Sequence, residues 1–331
     1  MQLIDKIHQF GIFDSCKGSR LLHADKISLT HITKLKTLSD ATGEVLINYG
    51  TIEKLDYGNK EKLILSWNQK YLNFHGSLPK YLFGNNLNLL TLNQAKEVFD
   101  DLSGKLGIDL SPSIISQLDT AFDLELQLPV KSYYSFLGPI KGMMRTPTDK
   151  DSLYYSNLSK ADNLYDKIKA LSKEGFTVSE IKNLMRFEKR DKTASLKRII
   201  KKFGLDVLTV ADFLRRDIYS EFIRDLLREY EAITKKQSFY YNPKPNCTPN
   251  DIIRLNAAEN ICNIGLEEYY ARIENTKSLG LFRRKEYPSI AKGIGRNLSK
   301  SKNNTKPYPA IIELDDEIHR IAYASLLWVP L

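Results

Sequence analysis

Cysteine is scarce in this chain. Cys16, Cys247 and Cys262 are an odd number without metal-ligand spacing, which argues against a disulfide framework and suits a reducing compartment. No apolar run approaches the roughly 18–20 residues needed to span a bilayer; the stretch IAYASLLWVPL at 321–331 is apolar but too short, and is expected to pack as a terminal helix or tail. The opening residues, MQLIDKIHQFGIFD, lack a signal-peptide h-region, and the mixed charges at Asp5 and Lys6 do not suit one. A cytoplasmic protein with no membrane partner is the expectation. There is no P-loop, no GxGxxG, no HExxH and no paired CxxC, so ATP hydrolysis and nicotinamide chemistry have no sequence support. No internal repeat or long low-complexity tract is present.

What the chain does have is enough apolar residue to fold and an excess of positive charge. Hydrophobic residues make up 42% and charged residues 27% of 331 residues, the balance of a folded protein with a full core. The formal net charge of +9 favours a polyanionic partner, and nucleic acid is the commonest.

The hydrophobic pattern alternates between strands and helices. EVLINYGTIEKL and KLILSWNQKYLNFHGSL read as strands, with a turn at Asp56–Asn59 between them. Lys80–Asn86 reads as a loop. Asn93–Leu106 has helical spacing, and Ser113–Leu128 reads as one long strand. Val130–Leu137 and Val178–Leu184 are expected to be helical. Leu153–Ser156 and Met185–Lys189 read as strands, and Lys160–Lys173 runs from a strand into a helix. This is an α+β, antiparallel-sheet pattern ending near residue 235. Beyond it, YYNPKPNCTPN at 240–250 reads as a linker. A helix is expected over Thr248–Lys277, a strongly basic stretch over Gly280–Lys306 and a last helix over Ile311–Leu327. The expected division is a domain at 1–235 and a smaller, mostly helical, basic domain at 236–331.

Several residues could carry chemistry. Tyr165 stands at a strand-to-helix junction, followed at once by Asp166 and Lys167. A tyrosine hydroxyl has a pKa near 10, so attack on a phosphodiester needs a divalent metal, a base or a nearby cation. Lys167 is placed to supply positive charge. Local sequence also allows a half-buried tyrosine at a strand end. Asp119, Asp123 and Glu125 lie at strand spacing on one predicted strand, where a buried carboxylate is costly unless paired or metal-bound. Glu188 shares a strand face with Arg186, so an ion pair between them competes with a metal site. His75 follows Asn73 at strand spacing. The run RFEKRDKTASLKRIIKK at 186–202, with Lys197, Arg198 and Lys201, and the run containing Arg283, Arg284 and Lys285 are candidate phosphate contacts. Each run also reads as a solvated helix face.

Four segments, in order, resemble the replication initiators of filamentous phages, the gene II and X protein family, which is related to HUH rolling-circle endonucleases and plasmid initiators. SLPKYLFGNN at 77–86, containing Lys80, is similar to the family's Ser-Pro-Lys loop. SQLDTAF at 116–122 resembles its aspartate strand. NLYDKIKAL at 163–171 resembles the segment bearing the nicking tyrosine. LMRFEKR at 184–190, with Phe203–Leu205 after it, resembles its Arg-Phe-Glu strand. The match covers roughly residues 60–210 and leaves the last third uncovered. It assigns the nucleophile to Tyr165 rather than Tyr154 or Tyr155, the neighbouring lysine to Lys167, and metal ligands to Asp119 and Glu188, with His75 as a third. The chain departs from the family in two places. Asn73-Phe74-His75 is half of a His-hydrophobe-His pair, and Gln117 stands where the family can place arginine.

The resemblance implies an HUH-like nuclease domain that nicks one DNA strand at a replication origin with Mg²⁺ or Mn²⁺, through a 5′-phosphotyrosine, and later rejoins it. It also implies single- and double-stranded origin DNA, a host helicase and a polymerase as partners, in the cytoplasm of a bacterial host. Two other readings stay open: a non-catalytic origin- or operator-binding regulator on the same fold, and a relaxase-like mobilisation nuclease.

Overall fold

The computed structural model describes residues 11–22, 27–39, 41–52, 63–148, 151–178, 181–239, 272 and 305–327. Its centre is a ten-stranded, wholly antiparallel sheet. In chain order the strands are β1 (Phe13–Leu21), β2 (Ile32–Ser39), β3 (Val45–Ile52), β4 (Leu63–Trp67), β5 (Tyr71–Ser77), β6 (Ile114–Glu125), β8 (Met144–Thr148), β9 (Ser152–Ser156), β10 (Lys160–Asp166) and β11 (Leu184–Lys192). Their spatial order is β2-β3-β4-β5-β1-β6-β11-β10-β9-β8. The short β7 (Leu137–Ile140) pairs with β12 (Ile233–Lys235), and β13 (Gln237–Phe239) with β14 (Thr305–Pro307). The fold is thus α+β on an antiparallel sheet, as the sequence pattern indicates.

Alternation fixes which face is which. On β5, Leu72 and Phe74 are buried while Tyr71 and His75 are exposed. On β6, Leu118, Phe122 and Leu124 are fully buried on the side opposite Asp119 and Asp123. The apolar face is covered by helices α2 (Leu92–Leu106), α6 (Val210–Phe213) and α7 (Arg216–Glu231). Phe13 meets Phe213 and Tyr219 edge-on at 4.9 and 5.0 Å, and Phe99 meets Phe74 at 5.9 Å. Helix α2 begins with a capping box, Thr91 with Gln94, and stops at Gly107.

Three expected elements differ. The loop expected over Lys80–Asn86 begins inside helix α1 (Leu78–Phe83). Ser77 accepts the Lys80 N–H, Pro79 lies in the first turn, and Gly84 closes the helix at φ +78°. Six residues are too few to show helical periodicity, so only the start and stop signals mark it. The helix expected over Val130–Leu137 ends early: α3 is Val130–Tyr134, and Leu137 already belongs to β7. Of the helix expected over Val178–Leu184, the described residues are non-helical, and Leu184 opens β11 opposite Glu125. The turn expected at Asp56–Asn59 lies outside the described residues, as does nearly all of the helix expected over Thr248–Lys277 and of the stretch over Gly280–Lys306.

The helix α8 (Pro309–Leu327) packs on α7 and β6. Its Ile311, Leu314, Ile318 and Ile321 join the main core. Glu313 accepts hydrogen bonds from the Gln127 N–H and the Tyr133 hydroxyl, both at 2.6 Å. The division expected at residue 235 therefore does not isolate this helix. Its apolar side completes the sheet domain.

Candidate active site

The face of the sheet opposite these helices carries the polar cluster. Directly paired residues on neighbouring strands share a face, so the register assembles the site row by row. Tyr165 lies opposite Arg186, which lies opposite Asp123. Asn163 lies between Tyr154 and Glu188. Arg190 lies opposite Asp119, which lies opposite Ser15.

The strand-to-helix junction at Tyr165 is present. β10 ends at Asp166, whose side chain caps helix α4 (Lys167–Lys173) by accepting the Lys169 N–H at 2.9 Å. The Tyr165 hydroxyl donates to Glu188 Oε2 at 3.2 Å. Lys167 is 1% exposed, with its ammonium 5.9 Å from the Tyr165 ring centre. Burial pushes the Tyr165 hydroxyl well above its ordinary pKa, Arg186 opposing and Glu188 adding to the shift. Burial, with Arg186 nearby, lowers Lys167 to about 7. Glu188 is raised to about 7 by burial, then by Asp14 and Asp119. A phenol that donates to a carboxylate titrating near neutrality is an arrangement in which a carboxylate can take the phenol's proton.

The other candidates fall differently. Asp119 is 1% exposed and bound by Arg190 through Nε and Nη2 at 3.0 and 2.7 Å, with the Ser15 hydroxyl at 2.7 Å. The same Arg190 Nη2 reaches Glu188 at 3.4 Å. So the two carboxylates do converge on one face, but the cation between them is a guanidinium. Among the described residues no group of three His, Cys, Asp or Glu could hold a metal ion. As placed, the donor set does not fit the divalent ion expected from Asp119, Glu188 and His75. His75 is exposed and lies opposite Lys17 on β5, three strands from Glu188. At ~4.8 Å per strand that is ~14 Å, beyond any shared coordination sphere.

Arg186, expected as a DNA contact, is completely enclosed. It binds Asp123 through two bonds of 2.6 Å, Asp14 at 3.4 Å and the Leu87 carbonyl at 3.0 Å. The expected Arg186–Glu188 pair is replaced because Asp123 stands directly across the ladder. Lys80 lies on α1 and pairs with Glu174 at 3.1 Å, joining that helix to the segment after α4. On helix α5 (Thr193–Lys202), Arg198 pairs with Asp225, while Lys197 and Lys201 are exposed. Arg283, Arg284 and Lys285 lie outside the described residues.

Sequence reasoning missed Arg190, Asp14 and Ser15. For Arg190 a signal existed, since it stands two residues from Glu188 on one strand face. Asp14 and Ser15 arrive from a distant strand and carry none. Tyr154, set aside in favour of Tyr165, shares the Glu188 row, whereas Tyr155 is buried and donates to the Gly138 carbonyl at 2.7 Å.

No family model and no curated protein matches the chain. Among solved structures, a rolling circle replication initiator protein from Geobacillus stearothermophilus is similar, at 12% identity and a TM-score of 0.30 over 72% of this chain and 90% of that one. A likeness at that score carries no weight for fold or function, which rest on the geometry above.

Proposed function

We propose that the protein is a replication initiator that nicks one DNA strand through Tyr165. The observation that carries this is the Tyr165–Glu188 hydrogen bond on the polar face of the sheet, with Arg190 beside it. In the reaction, Tyr165 Oη attacks phosphorus and its proton passes to the Glu188 carboxylate. The bond from phosphorus to the 3′ oxygen breaks, the 5′ phosphate stays on the tyrosine, and the 3′ oxygen takes a proton from water and leaves as a hydroxyl. Arg190, whose partly exposed side chain reaches Glu188 at 3.4 Å, supplies positive charge to the phosphate, Arg186 across the ladder favours the phenolate, and Lys167 packs over the ring. The expected divalent ion would have to displace Arg190 from Asp119, so the chemistry of charge neutralisation is assigned here to the arginine.

The test incubates purified protein with supercoiled plasmid carrying the DNA that flanks its own gene, and with single-stranded fragments of it, in Mg²⁺, Mn²⁺ or EDTA. A protein–DNA adduct lost in Tyr165→Phe supports the reading. Adduct mapped to Tyr154 instead would overturn the assignment. Asp119 closed by Arg190 also favours a second reading, a DNA-binding regulator without catalysis; tight binding with no adduct in any condition would select it.

A further inference from the structure

The half of the sheet beyond β1 holds a surface the nicking centre does not use. Strands β2 to β5 contain no aspartate or glutamate at any position. On the face shared with Asp119, Tyr49 is 41% and Tyr71 49% exposed, and His75 is exposed too. The register places Lys36, Tyr49, Ser66 and Asn73 in one row across β2 to β5, and His75 beside Lys17 in the next. Asn73 donates to Ser66 at 3.5 Å, which confirms the shared side. No described residue packs a ring on Tyr49 or Tyr71 or pairs with Lys17 or Lys36. Tyr71 and His75 are four residues apart, ~13 Å along the strand, and Tyr49 lies two strands over, ~10 Å away.

Exposed rings set among lysines, small polar groups and a few aliphatic side chains, on strands free of carboxylate, match single-stranded nucleic acid. Bases stack on the rings and phosphates pair with the ammonium groups. We propose that the open face of β1 to β5 is a track for unpaired DNA, along which the strand leaves the Tyr165 centre past Ser15 and Ser77. The same face also exposes Leu21, Leu38 and Ile64, so a docking protein is the rival occupant; Lys17 and Lys36 on carboxylate-free strands favour the polyanion. The identity of the ligand rests on the nicking reading, but binding and nicking are measured separately.

Fluorescence anisotropy is read with a labelled oligo-dT of about 20 nucleotides, longer than one site and without origin sequence, so that binding is measured apart from nicking. Tyr49→Ala with Tyr71→Ala should raise Kd by about 5-fold or more for each ring. Phenylalanine at both positions should restore wild-type affinity, and leucine should not. Lys17→Glu, an independent surface change, should lower the salt slope by about 0.7. Wild-type affinity in the alanine variant, full rescue by leucine, or no oligo-dT binding by the wild type would each overturn the track. Tight, ring-dependent binding without any adduct would instead leave the track standing and remove the nicking reading.

Discussion

The two halves of the sheet are built on opposite electrostatic plans. From β6 to β11 nearly every charge is committed. Arg186 holds Asp123 and Asp14, Arg190 holds Asp119, and beneath the sheet Lys189 holds Asp191 at 2.7 Å and also reaches Asp225. Strands β2 to β5 themselves carry no carboxylate, and β2 is exposed along nearly its whole length. The first half sets its charges against one another and so holds Tyr165 and Glu188 in one geometry. The second leaves Lys36 without an ion pair among the described residues and, on its open face, the Tyr49 and Tyr71 rings exposed. Position is what a reacting group needs, and accessibility is what a passing polymer needs.

The sharpest way to test the committed half is to remove its proposed nucleophile. Tyr165→Phe should lower adduct formation by at least ~10³-fold with oligonucleotide binding intact, whereas Tyr154→Phe should keep most activity. Gel assay of the covalent product decides it. Glu188→Gln comes next, with an expected loss of about 10²–10⁴-fold for a general base. Because burial raises Glu188 to about 7, the wild-type nicking rate should rise as pH passes about 7 and then level off. In the glutamine variant that inflection should vanish, and a retained inflection would assign the base elsewhere.

Arg186→Met probes whether the buried charges are structural. It leaves Asp123 and Asp14 without their cation, and stability in urea should fall by about 3–5 kcal/mol. An unchanged midpoint, with weaker DNA binding, would return Arg186 to the DNA interface. Asp162 offers a gentler test on the helix-covered face. It is fully buried, neither oxygen has a hydrogen-bond partner among the described residues, and burial and Glu229 raise it to about 8. The folded state keeps this proton where the unfolded chain has already released it. Wild-type stability from this group therefore falls as pH rises from about 4 to about 8. Asp162→Asn should flatten that window and be about 1–3 kcal/mol more stable than wild type near its upper end. The smallest effect is expected at Lys197 and Lys201. Their reversal to glutamate should reduce the salt slope of duplex binding by about 0.9 for each phosphate no longer neutralised.

Much of the sheet was legible because its signal is local. Leu118, Phe122 and Leu124 alternate with Asp119 and Asp123, and any register keeps that alternation. The junction at Tyr165 was readable for the same reason, as a strand pattern meeting a cap and a helix. The partners of the charges were not. Whether Arg186 pairs with Glu188 or Asp123 depends on which residue faces it across the ladder, and β6 lies more than sixty positions away in sequence. Ser15, which completes the Asp119 site, is farther still. Ion pairing between strands is set by register, and register is a property of the assembled sheet.

The docking of α8 on β6 has a consequence for how the protein comes into being. The ribosome makes Gln127 and Tyr133 long before it makes Glu313, and until then the Gln127 N–H and the Tyr133 hydroxyl await a partner that has not been synthesised. The apolar side of β6 that receives Leu314 and Ile318 is likewise uncovered in the nascent chain. A chain released before residue 309 would carry every candidate catalytic residue on an unfinished core. Closure by α8 thus ties the folded sheet to translation through that helix, and an interrupted message yields no finished core.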